Sequence, residues 1–259
     1  MDLNLTDKKV LVTGGTHGIG LAIVRELANE GCKIAVFSRT QERVVATKLM
    51  LDKMGCEAIC MMADVLNPVS YQDVEQIIKS TWGGVDIVVN NIGGGGRWGN
   101  EDILDTDEFT WNEVYDKNFT ATMRYTKMFL PYMIDNGWGR VITITSTHGK
   151  EVGGKPWFNV AKTAQTTLMK NLAVNKKYAS KGITFNSVAP GAIMIPNTGW
   201  EKMMKNNKEE FENFQHNLPR GSLGTPEEVA NLVTFLCSDR ASLVNGSSIL
   251  VDGGESKVI

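Results

Sequence analysis

Apolar and polar positions along the chain fall into two alternating rhythms. KKVLVT (8 to 13), KIAVFS (33 to 38), AICMM (58 to 62), VDIVVN (85 to 90), RVITIT (140 to 145), ITFNSV (183 to 188) and SILVD (248 to 252) are short, mostly apolar runs, and each predicts a strand. Between them lie segments with helical spacing, for instance Ile19, Ile23 and Leu27, or Val74, Ile77 and Ile78. Strands this continuously apolar need cover on both faces. The pattern therefore predicts an α/β chain: a single Rossmann-type, doubly wound domain over residues 1–259, with a seven-stranded parallel sheet flanked by helices on both faces. No repeat, low-complexity tract or linker divides it.

In doubly wound sheets ligands bind outside the carboxyl ends of the strands, so the loops there matter most. The glycine run IGGGGRWG (92 to 99) follows the fourth strand directly, and an irregular stretch from Pro190 to Pro226 follows the sixth. Loops near 93–100, 147–157 and 190–226 are the expected walls of a substrate site.

Composition narrows the partners. The chain has 259 residues, 42% of them hydrophobic and 22% charged, with a formal net charge of -2, so nothing favours a polyanion such as nucleic acid. The N-terminus carries charge within its first nine residues and enters a strand-like run at once, leaving no apolar stretch of a signal peptide. No segment approaches the roughly 20 apolar residues of a membrane span. Cys32, Cys56, Cys60 and Cys237 lack paired metal spacing and read as free thiols, which suits a cytoplasmic location and no bound metal.

TGGTHGIG (13 to 20) joins the first strand to the first helix. Gly14, Gly18 and Gly20 let the backbone turn tightly and approach a pyrophosphate, whose charge the free N–H groups at the helix start stabilise. Thr16, His17 and Ile19 belong to the same turn, and His17 offers a further donor. The second strand ends in FSRT (37 to 40). An acid there would bind the 2′-hydroxyl of NAD; Ser38 and Arg39 instead suit the extra phosphate of NADP(H), the expected cofactor.

In order along the chain, TGGTHGIG, Asp64 and Val65 in ADV, Asn91 and Gly93 in NNIG, Asn118, Ser146, Lys162, Pro190 and Gly191, and the late VDGG together resemble the short-chain dehydrogenase/reductase family. The resemblance runs the length of the chain. It implies that Asp64 and Val65 lie at the adenine, that Lys162 holds the nicotinamide ribose, that Ser146 binds the substrate oxygen, and that Asn118 anchors a water connecting to the lysine. It also implies backbone contacts around Ile193 to the carboxamide and a homotetramer built on helices around 119 to 135 and 157 to 179.

Two positions depart from that pattern. Phe158 stands four residues before Lys162, where the family has a proton-donating tyrosine, and Ile195 stands where it has a threonine. Positions four apart share a helix face, so Lys162 still points into the site while the acid is missing. His148, two residues after Ser146, or a relayed water is the expected replacement. Trp98, Trp157 and Trp200 with Arg97, Lys150, Lys155 and Lys202 suggest aromatic walls and cationic corners, suited to a polar, anionic carbonyl or alcohol such as a sugar phosphate or nucleotide-linked sugar. The leading expectation is thus an NADP(H)-dependent oxidoreductase of such a small molecule. The alternatives are an NADP(H)-binding protein with little turnover, acting as a sensor or assembly partner, and an ordinary 3-oxoacyl-type reductase carrying an engineered Tyr-to-Phe change.

Overall fold

A computed structural model of the chain describes all residues except Arg97, Glu101 and Ile259. Seven strands, β1 (Lys9–Thr13), β2 (Lys33–Ser38), β3 (Ala58–Met62), β4 (Ile87–Asn90), β5 (Gly139–Ile144), β6 (Ile183–Pro190) and β7 (Ser248–Val251), form one sheet in the order β3-β2-β1-β4-β5-β6-β7. Every pairing is parallel. The expected strands are all present, with ends moved by a residue or two. β6 runs two residues further than its apolar pattern because Ala189 and Pro190 still pair with Leu250 and Val251.

The period-two alternation explains why the strands read as unbroken apolar runs. Val12, Val36 and Ile142 face a layer containing α1 (Gly18–Asn29) and α10 (Pro226–Cys237), packing on Val24, Leu27, Val229 and Val233. Leu11, Val88 and Val141 face the opposite layer, α3 (Pro68–Trp82), α5 (Ala121–Asn136) and α6 (Pro156–Ala173), where Val74, Ile78, Phe129, Met133 and Met169 cover them. Burying each such side chain contributes about 1.5–3 kcal/mol, so both layers are needed to hold the sheet. The remaining helices are α2 (Gln41–Lys53), α4 (Glu108–Tyr115), α7 (Lys176–Ala179), α8 (Gly199–Asn206) and α9 (Lys208–Asn217). No helix among the described residues is long and apolar enough to cross a membrane.

The chain winds outward from β1 through β3 and then returns to lay β4 on the other side of β1. The crevice between the carboxyl ends of β1 and β4 is the topological switch point, where such sheets bind ligands. A five-residue π-helical turn, Asp116–Thr120, joins α4 to α5 and carries Asn118.

Three sequence expectations are corrected here. The helix expected from 157 to 179 ends at Ala173; Asn175 then accepts a hydrogen bond from the Lys177 N–H and starts the separate α7. The helix expected from 119 begins as regular α only at Ala121, after the π turn. The 190–226 stretch is not irregular throughout: α8 and α9 form over a small core of Phe211, Leu223, Met194, Trp200, Met203 and Phe214.

Arg140 is an unexpected resident of β5, only 2% exposed. Its guanidinium donates to the carbonyls of Ser238, Gly139 and Gly182 at 2.8–3.2 Å and approaches Asp239 at 3.4 Å. Arg140→Met keeps the stem but strands the buried Ser238 and Gly139 carbonyls, so urea unfolding is expected to show a loss of about 2–4 kcal/mol.

Candidate active site

β1 delivers the chain into a turn that is held open for a ligand. Gly14 has φ +64°, and a Cβ there would lie 2.8 Å from Ile92 Cγ1. A Cβ at Gly20 would lie 2.4 Å from Asn91 Nδ2, so the first turn of α1 passes closer to β4 than any side chain allows. Asn91 fixes this approach by donating from Nδ2 to the carbonyls of Thr13 (3.0 Å) and Gly14 (3.2 Å). Thr13 Oγ1 accepts in return from the N–H groups of Asn91 and Ile92. The strand ends bordering the crevice are thereby locked together, and the unpaired N–H groups of α1 face outward toward it.

Beside this turn lies a cavity of about 250 Å³ whose walls include Gly14, Thr16, His17, Ser38, Asp64 and Val65. Arg39, Arg43 and Lys117 give it a positive rim. Arg39 Nη1 stands 3.9 Å from Asp64 Oδ2, a long and exposed pair that leaves the guanidinium available. Burial, with Arg39 nearby, lowers the pKa of Lys117; burial and Arg43 lower that of His17, against a hydrogen bond to the Pro196 backbone. Arg43 and Lys117 were not foreseen. Arg43 sits in the first turn of α2, where a base is unfavourable for the helix dipole, and that was the only sequence signal for it.

His17, Asn91 and Gly93 also border a second cavity of about 370 Å³, so the two spaces adjoin. Its walls bring together Gly18, Ile19, Ser146, Phe158, Lys162, Pro190, Gly191 and Ile193, with Trp200 from α8. Lys162 is 4% exposed; its ammonium donates to the Ile144 carbonyl at 3.1 Å and lies 5.6 Å from the centre of the Phe158 ring. Burial pushes its pKa down from 10.5 to about 7. Asn118 is fully buried: Nδ2 donates to Val114 (2.7 Å) and Gly94 (2.8 Å), and Oδ1 accepts from the Gly94 N–H at 3.2 Å. Ser146 Oγ accepts from the His148 N–H at 3.2 Å and caps the short turn that follows. Ile195 packs on the glycine turn, its Cγ2 2.9 Å from where a Cβ of Gly18 would lie. The backbone at Ile193 is bridged to Gly224, and the Ala192 N–H is held by Glu255 at 2.6 Å.

Several expected wall residues are elsewhere. His148 is not in the wall of this cavity; its ring meets that of Phe158 edge-on at 6.3 Å. Trp157 is 1% exposed and donates to the Trp98 carbonyl, so it is core beneath the loop and not lining. Lys150 donates to the Ser248 carbonyl, and Lys155 to those of Gly99 and Asn100, which turns both ammonium groups to structural work. Lys117 lies over the Trp98 ring at 4.3 Å, and Lys202 is exposed; Arg97 lies outside the described residues. Of the described members of that group only Trp200 borders the cavity. No cluster of three metal-ligating side chains occurs among the described residues.

Residues 14–256 match the family described as enoyl-(acyl carrier protein) reductase. A dehydrogenase/reductase SDR family member 4 of Sus scrofa is 36% identical over 253 residues, covering 96% of this chain and 88% of that protein. The chain belongs to the short-chain dehydrogenase/reductase family. A 3-oxoacyl-acyl-carrier-protein reductase of Aquifex aeolicus is 33% identical over 256 residues, 98% of this chain and 99% of that one. The crystal structure of L-sorbose reductase from Gluconobacter frateurii, complexed with NADPH and L-sorbose, superposes with a TM-score of 0.91 at 30% identity, covering 100% of both chains. Such short-chain dehydrogenase/reductase relatives make the chain an oxidoreductase of a nicotinamide cofactor, and the trough described above fits that group: a glycine turn that no Cβ could enter, a helix N-terminus and a positive rim.

The burial of Lys162 has a thermodynamic signature. Its folded-state pKa lies near 7 and its ordinary value is 10.5, so between these limits the unfolded chain binds more protons than the folded one, and stability contributed by this group rises with pH. Each pH unit within the window adds up to about 1.4 kcal/mol. Lys162→Met is expected to flatten that rise, read by urea unfolding at a series of pH values.

Proposed function

We propose that this chain is an NADP(H)-dependent oxidoreductase that interconverts a polar carbonyl and its alcohol, by a proton route that does not use a phenol. One observation carries the reading: Ser146, Phe158 and Lys162 wall a single cavity that adjoins the trough rimmed by Arg39, Arg43 and Lys117. Gly14 to Gly20 and the start of α1 would hold the pyrophosphate, Ser38, Arg39 and Arg43 the extra phosphate, and Asp64 and Val65 the adenosine. Lys162 would hold the nicotinamide ribose, and the backbone at Ile193 the carboxamide. The reduced cofactor supplies a hydride when bound. NADPH in the related L-sorbose reductase supports the choice over NAD.

The protein's own groups then have defined tasks. Ser146 Oγ donates to the substrate oxygen, where charge develops as hydride arrives. Phe158 occupies the place of the family's tyrosine and offers no proton, while its ring keeps water from one side of Lys162. Because its pKa is near 7, Lys162 Nζ can hold or release a proton at neutral pH, and a water carries it to the alkoxide. His148 is less suited, since it borders Phe158 and not the cavity.

For the substrate, an uncharged, hydroxyl-rich carbonyl suits the site better than a sugar phosphate or nucleotide-linked sugar. Lys150 and Lys155, expected to pair with an anion, are committed to backbone carbonyls, while the cavity offers Thr145, Ser146, Thr198 and the Trp200 face. L-sorbose in the related structure supports the same class. Assembly as a homotetramer is part of the proposal. It is supported by an apolar groove of about 800 Å³ along α6, lined by Phe119, Val160, Ala164 and Leu168.

Phe158 also favours a second reading, a dinucleotide-binding protein with little turnover. Phe158→Tyr separates the two. With a panel of keto sugars, a gain in NADPH oxidation of about 10²–10⁴ is expected for an enzyme whose proton delivery is limiting. Unchanged, negligible turnover in both proteins, with NADPH still bound, would favour the binding role.

A further inference from the structure

We propose that Glu255, beyond the last strand and outside the proposed chemistry, is a positioning residue that fixes, from behind, the backbone presenting Ile193 to the nicotinamide carboxamide. This role deepens the proposed function and rests on its placement of the carboxamide at Ile193.

β6 ends at Pro190, and the residues that follow are held amide by amide. The Gly191 N–H donates to the Val251 carbonyl at 3.1 Å, the Ala192 N–H to Glu255 Oε2 at 2.6 Å and the Met194 N–H to the Gly224 carbonyl at 2.9 Å. The Gly224 N–H donates in turn to the Ala192 carbonyl at 2.9 Å, which makes Ile193 and Gly224 a parallel bridge. In such a bridge the pairing groups come from the residues on either side of the bridged one, so the N–H and C=O of Ile193 itself point to the opposite edge. No protein group among the described residues bonds to them, and Ile193 borders the cavity that holds Ser146 and Lys162. One backbone donor beside one acceptor is the complement of a primary carboxamide, which carries the same two functions.

Glu255 is absent from that cavity's wall and reaches the segment from another side. After β7 the chain turns about Asp252, whose Oδ1 accepts from the Gly254 N–H and Oδ2 from the Ser256 N–H, each at 3.0 Å. Gly253 and Gly254, at φ +62° and +84°, let it double back. Glu255 is thereby presented, half-buried, to Gly191 and Ala192, and a Cβ at Gly191 would collide with its Oε2. Two residues on, the Lys257 N–H donates to Glu151 Oε2 at 3.1 Å, so the tail is anchored on the loop after β5 as well. The carboxylate–amide bond is charge-assisted, which makes it the strongest of the three that hold the segment. Without it Ile193 is held through Gly224 alone.

Isothermal titration calorimetry of the full chain tests this role, with NADPH and with 2′,5′-ADP, which carries the phosphate end but no nicotinamide. Glu255→Met keeps the length of the side chain and removes the acceptor. NADPH affinity is then expected to fall about tenfold, the order of one charge-assisted hydrogen bond, with 2′,5′-ADP affinity unchanged within about twofold. Glu255→Gln keeps an acceptor and is expected to stay within about threefold of wild type for NADPH. A merely structural loosening of the cleft would weaken both ligands alike. Equal weakening of both, or an unchanged NADPH affinity in Glu255→Met, overturns the proposal, as does a loss in Glu255→Gln as large as that in Glu255→Met. Wild type that binds neither ligand contradicts the proposed function itself and this role with it, whereas wild type that binds both confines the outcome to Glu255. Should Glu255→Met fail to fold, Glu255→Ala is read with the same two ligands.

Discussion

A buried amine with no carboxylate beside it among the described residues is the constraint around which the catalytic end is arranged. Lys162 keeps a hydrogen bond to the Ile144 carbonyl and an aromatic face from Phe158. Such a charge is costly, and the cost appears as a pKa brought into the neutral range. In the proposed function, what would be a defect in a core becomes an asset, because a group that exchanges protons near neutrality can serve in place of a phenol. The glycine at position 93, where a Cβ would lie 2.8 Å from Nζ, and the hydrogen bond from α6 to β5 both contribute to holding the amine in that state.

The dinucleotide end obeys a different constraint, closeness of backbone. The carboxyl ends of β1 and β4 separate at the switch point, yet Thr13 and Asn91 bind them across it, and Gly14 and Gly20 let the α1 turn approach where a methyl would collide. The resulting trough is rigid on the strand side. On its other side the segment after β6 is tied down by Gly224 and Glu255 before it enters α8 and α9, which rest on their own small core. The two ends of the trough are thus built from different parts of the chain and meet at His17, Asn91 and Gly93.

Much of this was legible in the sequence. Seven apolar runs named seven strands, because strands buried on both faces have no polar alternation to confuse them, and TGGTHGIG announced the tight turn after β1 by placing glycines where a Cβ would collide. What the sequence hid was direction. Trp157 looked like a pocket wall and is core, since one residue's rotation on α6 separates the two fates. Lys150 and Lys155 looked like anion binders, but loop curvature carried them to nearby carbonyls. Arg43 and Lys117 matter through partners far away in sequence, and no local pattern marks such pairs. Helices α8 and α9 escaped notice because Trp200, Met203, Phe211 and Phe214 are separated by asparagine and lysine in a stretch with little apolar periodicity.

The claim that most depends on this geometry is that an NADP(H) site ends at Lys162. Equilibrium binding of NADPH and NADH, followed by nicotinamide fluorescence in wild type and Lys162→Met, tests it most directly. The account predicts NADPH bound about tenfold or more tighter than NADH, a difference of about 1.4 kcal/mol from the positive rim, with both weakened when the lysine is removed. Equal affinity for the two cofactors, or binding indifferent to Lys162, would contradict it.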